Sequence, residues 1–319
     1  MNVPFQADRA SCDELRCLQS SNSLPSSDQQ LNSKLLSNHP SNHQLSSSQS
    51  PRSQPLSTQP SSRQPLSCKG AITLFAGPCA VESYGQMQKV AVCLRRNQLG
   101  WIRGGAFKLR TSSHSFQGLG QAGLDILARI AQEYGLATIT EVVSTGSLEA
   151  TAQAVDALQV GARNMYNYEL LKAVSRVIAQ SHQPVLLKRG IAATIAEWLE
   201  AAAYLALADN SDVMLCERGL RTFEQSYRYT LDIAAVAVVH QRSPLPVCVD
   251  VSHAAGTAAL VPSLAQAAVA AGADALMIEV HPSPLHARSD GAQQLSIQEF
   301  EELLPRLRRI AATLDKKII

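Results

Sequence analysis

Four residues of this 319-residue chain, Cys79, His253, Glu279 and Asp290, offer one sulfur, one nitrogen and two oxygen donors. Singly, each has a plain structural role: a buried thiol, a satisfied core histidine, an ion-pair partner, a loop cap. Together they form a set able to hold a divalent transition metal. Mixed S, N and O donors suit Mn, Fe, Co or Zn and disfavour Ca and Mg. A second set is cationic: Arg103, Lys108, Arg110, Arg163, Lys188 and Arg218. Cations gathered in a cleft need anionic partners, because unpaired buried charge is costly. Guanidinium forks hold phosphate and carboxylate bidentately, so the set implies phosphorylated, carboxylated ligands, two rather than one.

Most of these residues lie at or near the C-terminal ends of short β-rich apolar runs, with Arg103 and Arg163 inside theirs and Asp290 in the segment after the last. The runs are ITLFAG (72–77), WIRGGAF (101–107), ATITEV (137–142), VGARNM (160–165), PVLLKRG (184–190), DVMLCERG (212–219), PVCVDVSH (246–253) and ALMIEVHP (275–282). Amphipathic helical segments such as YELLKAVSRVIAQ (168–180) and TIAEWLEAAAYLALA (194–208) separate them, with Ser83 and Thr194 as N-caps. Eight alternations over 69–319 predict a (β/α)8 TIM barrel, with its site built from the C-terminal strand ends. Charged or metal-capable groups at all eight ends are hard to explain as a solvated rim. The first, seventh and eighth strands, which carry the donor set, become neighbours when the barrel closes.

Residues 1–68 differ in kind. They are dominated by Ser, Gln and Pro, with QPLS at 54–57 and again at 64–67. Such a segment cannot bury enough apolar surface to offset the entropy of ordering it, so a disordered extension is expected. Asp8, Asp13, Glu14 and Asp28 argue against a transit peptide. Net charge is +2, which disfavours a dedicated nucleic-acid or anionic-membrane binder. The seven cysteines form no CxxC pair, so free thiols in a reducing, cytoplasmic compartment are expected. The uncharged stretch Ala254–Ala273 reads as a buried Ala-rich helix rather than a membrane span.

Long phrases carry a family resemblance: AGPCAVES (76–83), RGGAFKLRTSSHSFQGLG (103–120), GARNMYNYELLK (161–172), PVLLKRGIAATIAEWLEAA (184–202), LCERGLRTFE (215–224) and IEVHPSPLHARSDGAQQL (278–295). In these the chain resembles type I 3-deoxy-7-phosphoheptulonate (DAHP) synthases, the compact subtype related to 3-deoxy-octulosonate 8-phosphate synthases. The resemblance implies a transferase. It would condense phosphoenolpyruvate with erythrose 4-phosphate, with metal assistance, at the entry of the shikimate pathway to chorismate and the aromatic amino acids. It implies Cys79, His253, Glu279 and Asp290 as metal ligands. Arg103, Lys108, Arg163, Lys188 and Arg218 would surround phosphoenolpyruvate, with Arg110 and Thr111 at the aldose phosphate. Glu141 would lie near the reacting carbon, and Lys108 or Glu141 with a bound water would be the catalytic group that handles protons. A cytoplasmic homo-oligomer, with no nucleic-acid or membrane partner, is the further expectation.

The chain departs from the family pattern in its scaffolding. The usual Lys-Pro-Arg-Thr reads Lys108-Leu109-Arg110-Thr111, and Asp-Pro-Ser-His reads Asp250-Val251-Ser252-His253. Gly256-Thr257-Ala258-Ala259 stands where paired arginines often follow. Losing proline removes a fixed φ and loosens a loop. The rival readings are 3-deoxy-octulosonate 8-phosphate synthase and a divergent non-catalytic barrel. The Arg-Thr pair favours the four-carbon sugar, and retention of every ligand and cation opposes the second rival.

Overall fold

Near-continuous apolar runs, buried on both faces, are the sequence form of a closed parallel sheet. In the computed structural model, which describes residues 64–109, 112, 114–206 and 212–319, they build one. The strands are β1 (Ala71–Gly77), β2 (Trp101–Arg103), β3 (Ala137–Val142), β4 (Ala157–Val160), β5 (Val185–Lys188), β6 (Val213–Glu217), β7 (Val247–Asp250) and β8 (Ala275–Glu279). Each pairs in parallel with the next, and β1 pairs with both β8 and β2, closing the barrel. The helices are α1 (Tyr84–Arg96), α2 (Gln121–Tyr134), α3 (Thr145–Ala154), α4 (Tyr168–Ser181), α5 (Ile195–Leu205), α6 (Ala234–Arg242), a short α7 (Val251–Ala255), α8 (Val261–Ala270) and α9 (Ile297–Ala312). The expected (β/α)8 architecture is present.

Side chains alternate along each strand, so one set faces the helices and the other fills the interior. Ile72, Leu74, Leu158, Leu187, Leu215, Val249 and Ile278 pack outward with the helices. Phe75, Trp101, Ile139, Ala157, Leu186, Cys216, Cys248 and Met277 form the separate interior cluster, where Phe75 and Trp101 meet edge to face at 5.3 Å. The same two-residue step carried one position further reaches Arg103, Glu141, Gln159, Lys188, Arg218, Asp250 and Glu279. The mouth is therefore lined by the continuation of the interior rows.

Expected caps and helices are present. Ser83 accepts from the Gln86 amide, and Thr194 with Glu197 forms a reciprocal capping box. Ala254–Ala273 becomes the end of α7, a 3-10 turn and α8, and no helix among the described residues is long and apolar enough to cross a membrane.

Several expected strand bounds need correction, and the run expected over 275–282 is a strand only as far as Glu279. The fourth strand is ALQV (157–160), three residues ahead of the expected VGARNM, so Arg163 sits on a 3-10 turn, Ala162–Asn164. Gly161 ends the apolar run, and Asn164 Nδ2 ties the turn to the Val143 carbonyl. Second, β2 stops at Arg103, four residues short of the expected run, and Gly105 beyond it keeps only an isolated parallel bridge to Ala80. Third, the strand expected over 246–253 ends at Asp250, whose side chain accepts from the His253 amide and starts α7.

Residues 1–63 lie outside the described residues, and so does the disorder expected of them. Leu66, however, has no exposed surface and packs in the interior cluster. Its amide donates to Asp212 Oδ2 (3.3 Å) at the start of β6. On the same face, β9 (Lys317–Ile318) pairs with the first residues of β1. Leu66 thus closes the end of the barrel opposite the mouth.

Truncating a fully buried leucine to alanine costs about 2–5 kcal/mol. Leu66→Ala should therefore lower the melting temperature by roughly 4–20 °C, at about 2–4 °C per kcal/mol for a domain of this size. A chain starting at Ser61 should melt like the full chain, and one starting at Cys68 should melt like Leu66→Ala. Equal melting of all four by calorimetry would remove Leu66 from the core.

Candidate active site

Three of the four expected metal donors converge. One ligand atom each from Cys79, His253 and Glu279 lies within 4.8 Å of the others, and His253 Nε2 is 3.5 Å from Glu279 Oε1. They come from the loop after β1, from α7 and from the end of β8, neighbours in the barrel order β7-β8-β1. Asp290 falls outside this mutual cluster but adjoins it, with Oδ2 3.1 Å from Cys79 Sγ. Its φ of +48° is a left-handed conformation uncommon for a residue with a Cβ, held here in a loop that aims the carboxylate at the thiol. Arg228 Nη1 stands 3.5 Å from its other oxygen.

Burial pushes the Cys79 thiol up to about 12, with Glu279 adding to the effect. Burial also holds the His253 imidazole below its ordinary value. For Asp290 burial opposes the charge, but the contact with Cys79 and nearby cations keep its carboxyl well below the usual range. A neutral imidazole, carboxylates and a thiol that must lose its proton form a donor set a divalent ion can use.

The cations surround this set. Lys108 Nζ lies 3.1 Å from both Cys79 Sγ and the Cys79 carbonyl oxygen. A Cβ on Gly105 would come within 2.8 Å of Lys108 Cδ, so glycine there leaves room for the lysine stem. Arg103 pairs with Glu279 at 3.0 Å and keeps a buried Nε without a partner. Arg218 lies over the Tyr229 ring at 4.2 Å and keeps a buried Nη1 unpaired. Lys188 contacts Asp250. Arg163 forms no ion pair among the described residues. Unpaired buried N–H groups in one cavity mouth are where an anionic ligand gains most.

Parity also sorts neighbouring charges. Lys188 and Arg218 point inward, whereas Arg189 and Glu217 point outward and pair at 2.8 Å, with Asp232 as a second partner. Glu141 reaches the mouth from β3, accepts from Gln159 Nε2 (3.3 Å), and lies where a Cβ on residue 161 would make its Oε1 move aside. Arg110 and Thr111 lie outside the described residues.

The sequence reading passed over four contributors. Gln293 Nε2 donates to Glu279 Oε2 and Oε1 accepts from Arg228, both at 2.6 Å, which steadies the glutamate. Ser289 Oγ lies 3.0 Å from Cys79 Sγ. Asp250 was visible at a strand end, and its place two residues beyond an interior cysteine was the signal that it points inward. Gln293, Arg228 and Ser289 sit on loops, with no periodicity to mark them.

A family model described as the DAHP synthetase I family matches residues 63–315. A phospho-2-dehydro-3-deoxyheptonate aldolase of Thermotoga maritima is 43% identical over 249 residues, covering 78% of this chain and 72% of that protein. A 2-dehydro-3-deoxyphosphooctonate aldolase of Acidithiobacillus ferrooxidans is 32% identical, covering 74% of this chain and 88% of its own. A truncated 3-deoxy-D-arabino-heptulosonate 7-phosphate synthase from Thermotoga maritima superposes with a TM-score of 0.72 at 40% identity, covering 79% of this chain and 90% of that one.

Because the Cys79 thiol keeps its proton to about 12, a cation bound there must displace one proton. His253 is already neutral above pH 7 and adds none. Affinity for Co²⁺, read from thiolate-to-cobalt absorbance, should therefore rise about tenfold per pH unit between pH 7 and 9. A flat profile would take Cys79 out of the ligand set.

Proposed function

The chain belongs to the DAHP synthetase I family, and we propose that its mouth joins phosphoenolpyruvate to erythrose 4-phosphate, giving DAHP and inorganic phosphate. It is a transferase, a 3-deoxy-7-phosphoheptulonate synthase of the shikimate route. The observation that carries the site reading is the three-donor cluster ringed by cations, two of which keep buried N–H groups unpaired.

The residues divide the work. Arg103, Arg163, Lys188 and Arg218 hold the carboxylate and phosphate of phosphoenolpyruvate. Arg110 and Thr111 hold the aldose phosphate. Cys79, His253, Glu279 and Asp290 fit a divalent Mn, Fe, Co or Zn ion, which when bound polarises the aldehyde oxygen. Phosphoenolpyruvate C3 forms a bond to the aldehyde carbon, and Lys108 supplies the proton that the former aldehyde oxygen takes. Water adds at C2, and Glu141 accepts the proton that it sheds. The hemiketal phosphate then collapses: the C2 hydroxyl becomes the ketone and its proton goes to the departing phosphate, which leaves with the bridging oxygen, while the proton on Glu141 returns to Lys108 through water. Holding two reactants in register can lower a barrier by about 7–11 kcal/mol. The reading extends to a cytoplasmic homo-oligomer; Cys79, Cys93, Cys216 and Cys248 are free thiols, which suits a reducing compartment.

Phosphate release from phosphoenolpyruvate should proceed with erythrose 4-phosphate and far less with arabinose 5-phosphate. It should stop with EDTA and return with Mn²⁺. Cys79→Ala should remove most activity while keeping the circular dichroism spectrum. Full turnover by demetallated enzyme would overturn the metal assignment, and preference for the five-carbon sugar would favour octulosonate chemistry.

Arg110→Ala removes a charged phosphate partner, typically about 1.5–3 kcal/mol, or roughly 10–150-fold. The KM for erythrose 4-phosphate should rise by that factor, while the KM for phosphoenolpyruvate changes much less. An equal rise in both would take Arg110 away from the aldose.

A further inference from the structure

Asp250 is fully buried, yet its carboxylate serves two sites at once. Oδ2 contacts Lys188 Nζ, one of the phosphoenolpyruvate cations, and lies 2.8 Å from Nδ1 of His253, a metal ligand. Oδ1 accepts from the His253 amide at 3.1 Å. Nδ1 is buried and has no other polar partner, and its approach to Oδ2 falls short of a good hydrogen bond. On the far side of the ring, Nε2 faces Glu279 and the donor cluster. One oxygen is thus divided between a lysine that waits for an anion and an imidazole that waits for a cation.

We propose that Asp250 is a positioning residue that makes metal binding and phosphoenolpyruvate binding mutually reinforcing. The inference rests on the function proposed above. When an anion draws Lys188 toward the mouth, the lysine's hold on Oδ2 weakens. The freed charge goes to Nδ1–H, which aligns the ring and makes Nε2 a stronger donor, as carboxylate partners of metal-bound histidines do. In the other direction, a cation on Nε2 makes Nδ1–H a stronger hydrogen-bond donor. It then claims Oδ2 and releases Lys188 to the substrate. Linkage requires both effects to have the same size.

The test is Mn²⁺ affinity, read as free ion by electron paramagnetic resonance, with and without saturating phosphoenolpyruvate and corrected for Mn²⁺ held by free substrate. In the wild type, phosphoenolpyruvate should tighten Mn²⁺ about fivefold or more. Asp250→Asn should weaken Mn²⁺ by about 10–100-fold. It should also bring the ratio of affinities with and without phosphoenolpyruvate to within about twofold of one. Asp250→Ser removes the anion but keeps an N-cap acceptor for the His253 amide, so it gives the same reading if the asparagine variant folds poorly. A wild-type ratio near one, or an undiminished ratio in a folded variant, overturns the role of Asp250 while the enzyme remains a synthase. A wild type that binds neither Mn²⁺ nor phosphoenolpyruvate overturns the functional reading itself.

Discussion

A closed parallel barrel has one interior, and the two-residue repeat of its strands decides what fills it. In this chain the repeat runs apolar from Leu66 and Phe75 upward and becomes ionic only at the last inward step. Arg103, Glu141, Lys188, Asp250 and Glu279 are thereby forced into one small space from five strands. Their charges are tolerable because they oppose one another: Arg103 meets Glu279, and Lys188 meets Asp250. The site is an ion-paired layer of the core that is missing some of its counter-charges. A negatively charged substrate and a metal cation supply charge of the kinds it can accept.

Much of this was legible in the sequence, for a physical reason. Strand β3 was delimited in full, and Ser83 and Thr194 cap where cap chemistry says they should. The barrel and the identity of the mouth residues follow from the same alternation. What was not legible depends on contacts between distant segments. VGARNM and ALQV are both plausible strands alone, and only pairing with β3 and β5 selects the second. Leu66 sits in a Ser/Pro-rich phrase that also occurs at 54–57, and local composition cannot tell that one copy meets the open end of a barrel. Loop partners such as Gln293 and Arg228 are fixed by tertiary approach alone.

The departures from the family's proline pattern can be weighed against geometry. Val251 occupies the first position of α7, where proline would be preorganised. Asp250 still caps the helix and Val251 is wholly buried, so the cap is intact and the pocket is filled. Leu109 is different. It is partly exposed beside Lys108 and packs in no core, so nothing replaces the stiffness that proline would have supplied. The two substitutions look alike in the sequence but are unlike in consequence. One exchanges one rigid solution for another, and the other gives up a fixed φ at an exposed position with no packing in return.

Leu66 and the β9 segment meet β1 and the barrel interior on the face away from the mouth. Both flanks of the folded body therefore depart from the same end. Attachments there, such as an affinity handle, a surface tether or a fused partner, point away from the chemistry. An immobilised preparation would present every mouth to the solution. Inserting a new linker between the two flanks and opening the chain at a helix-to-strand turn on that same face would give a permuted enzyme. Its ionic layer would keep its order around the ring.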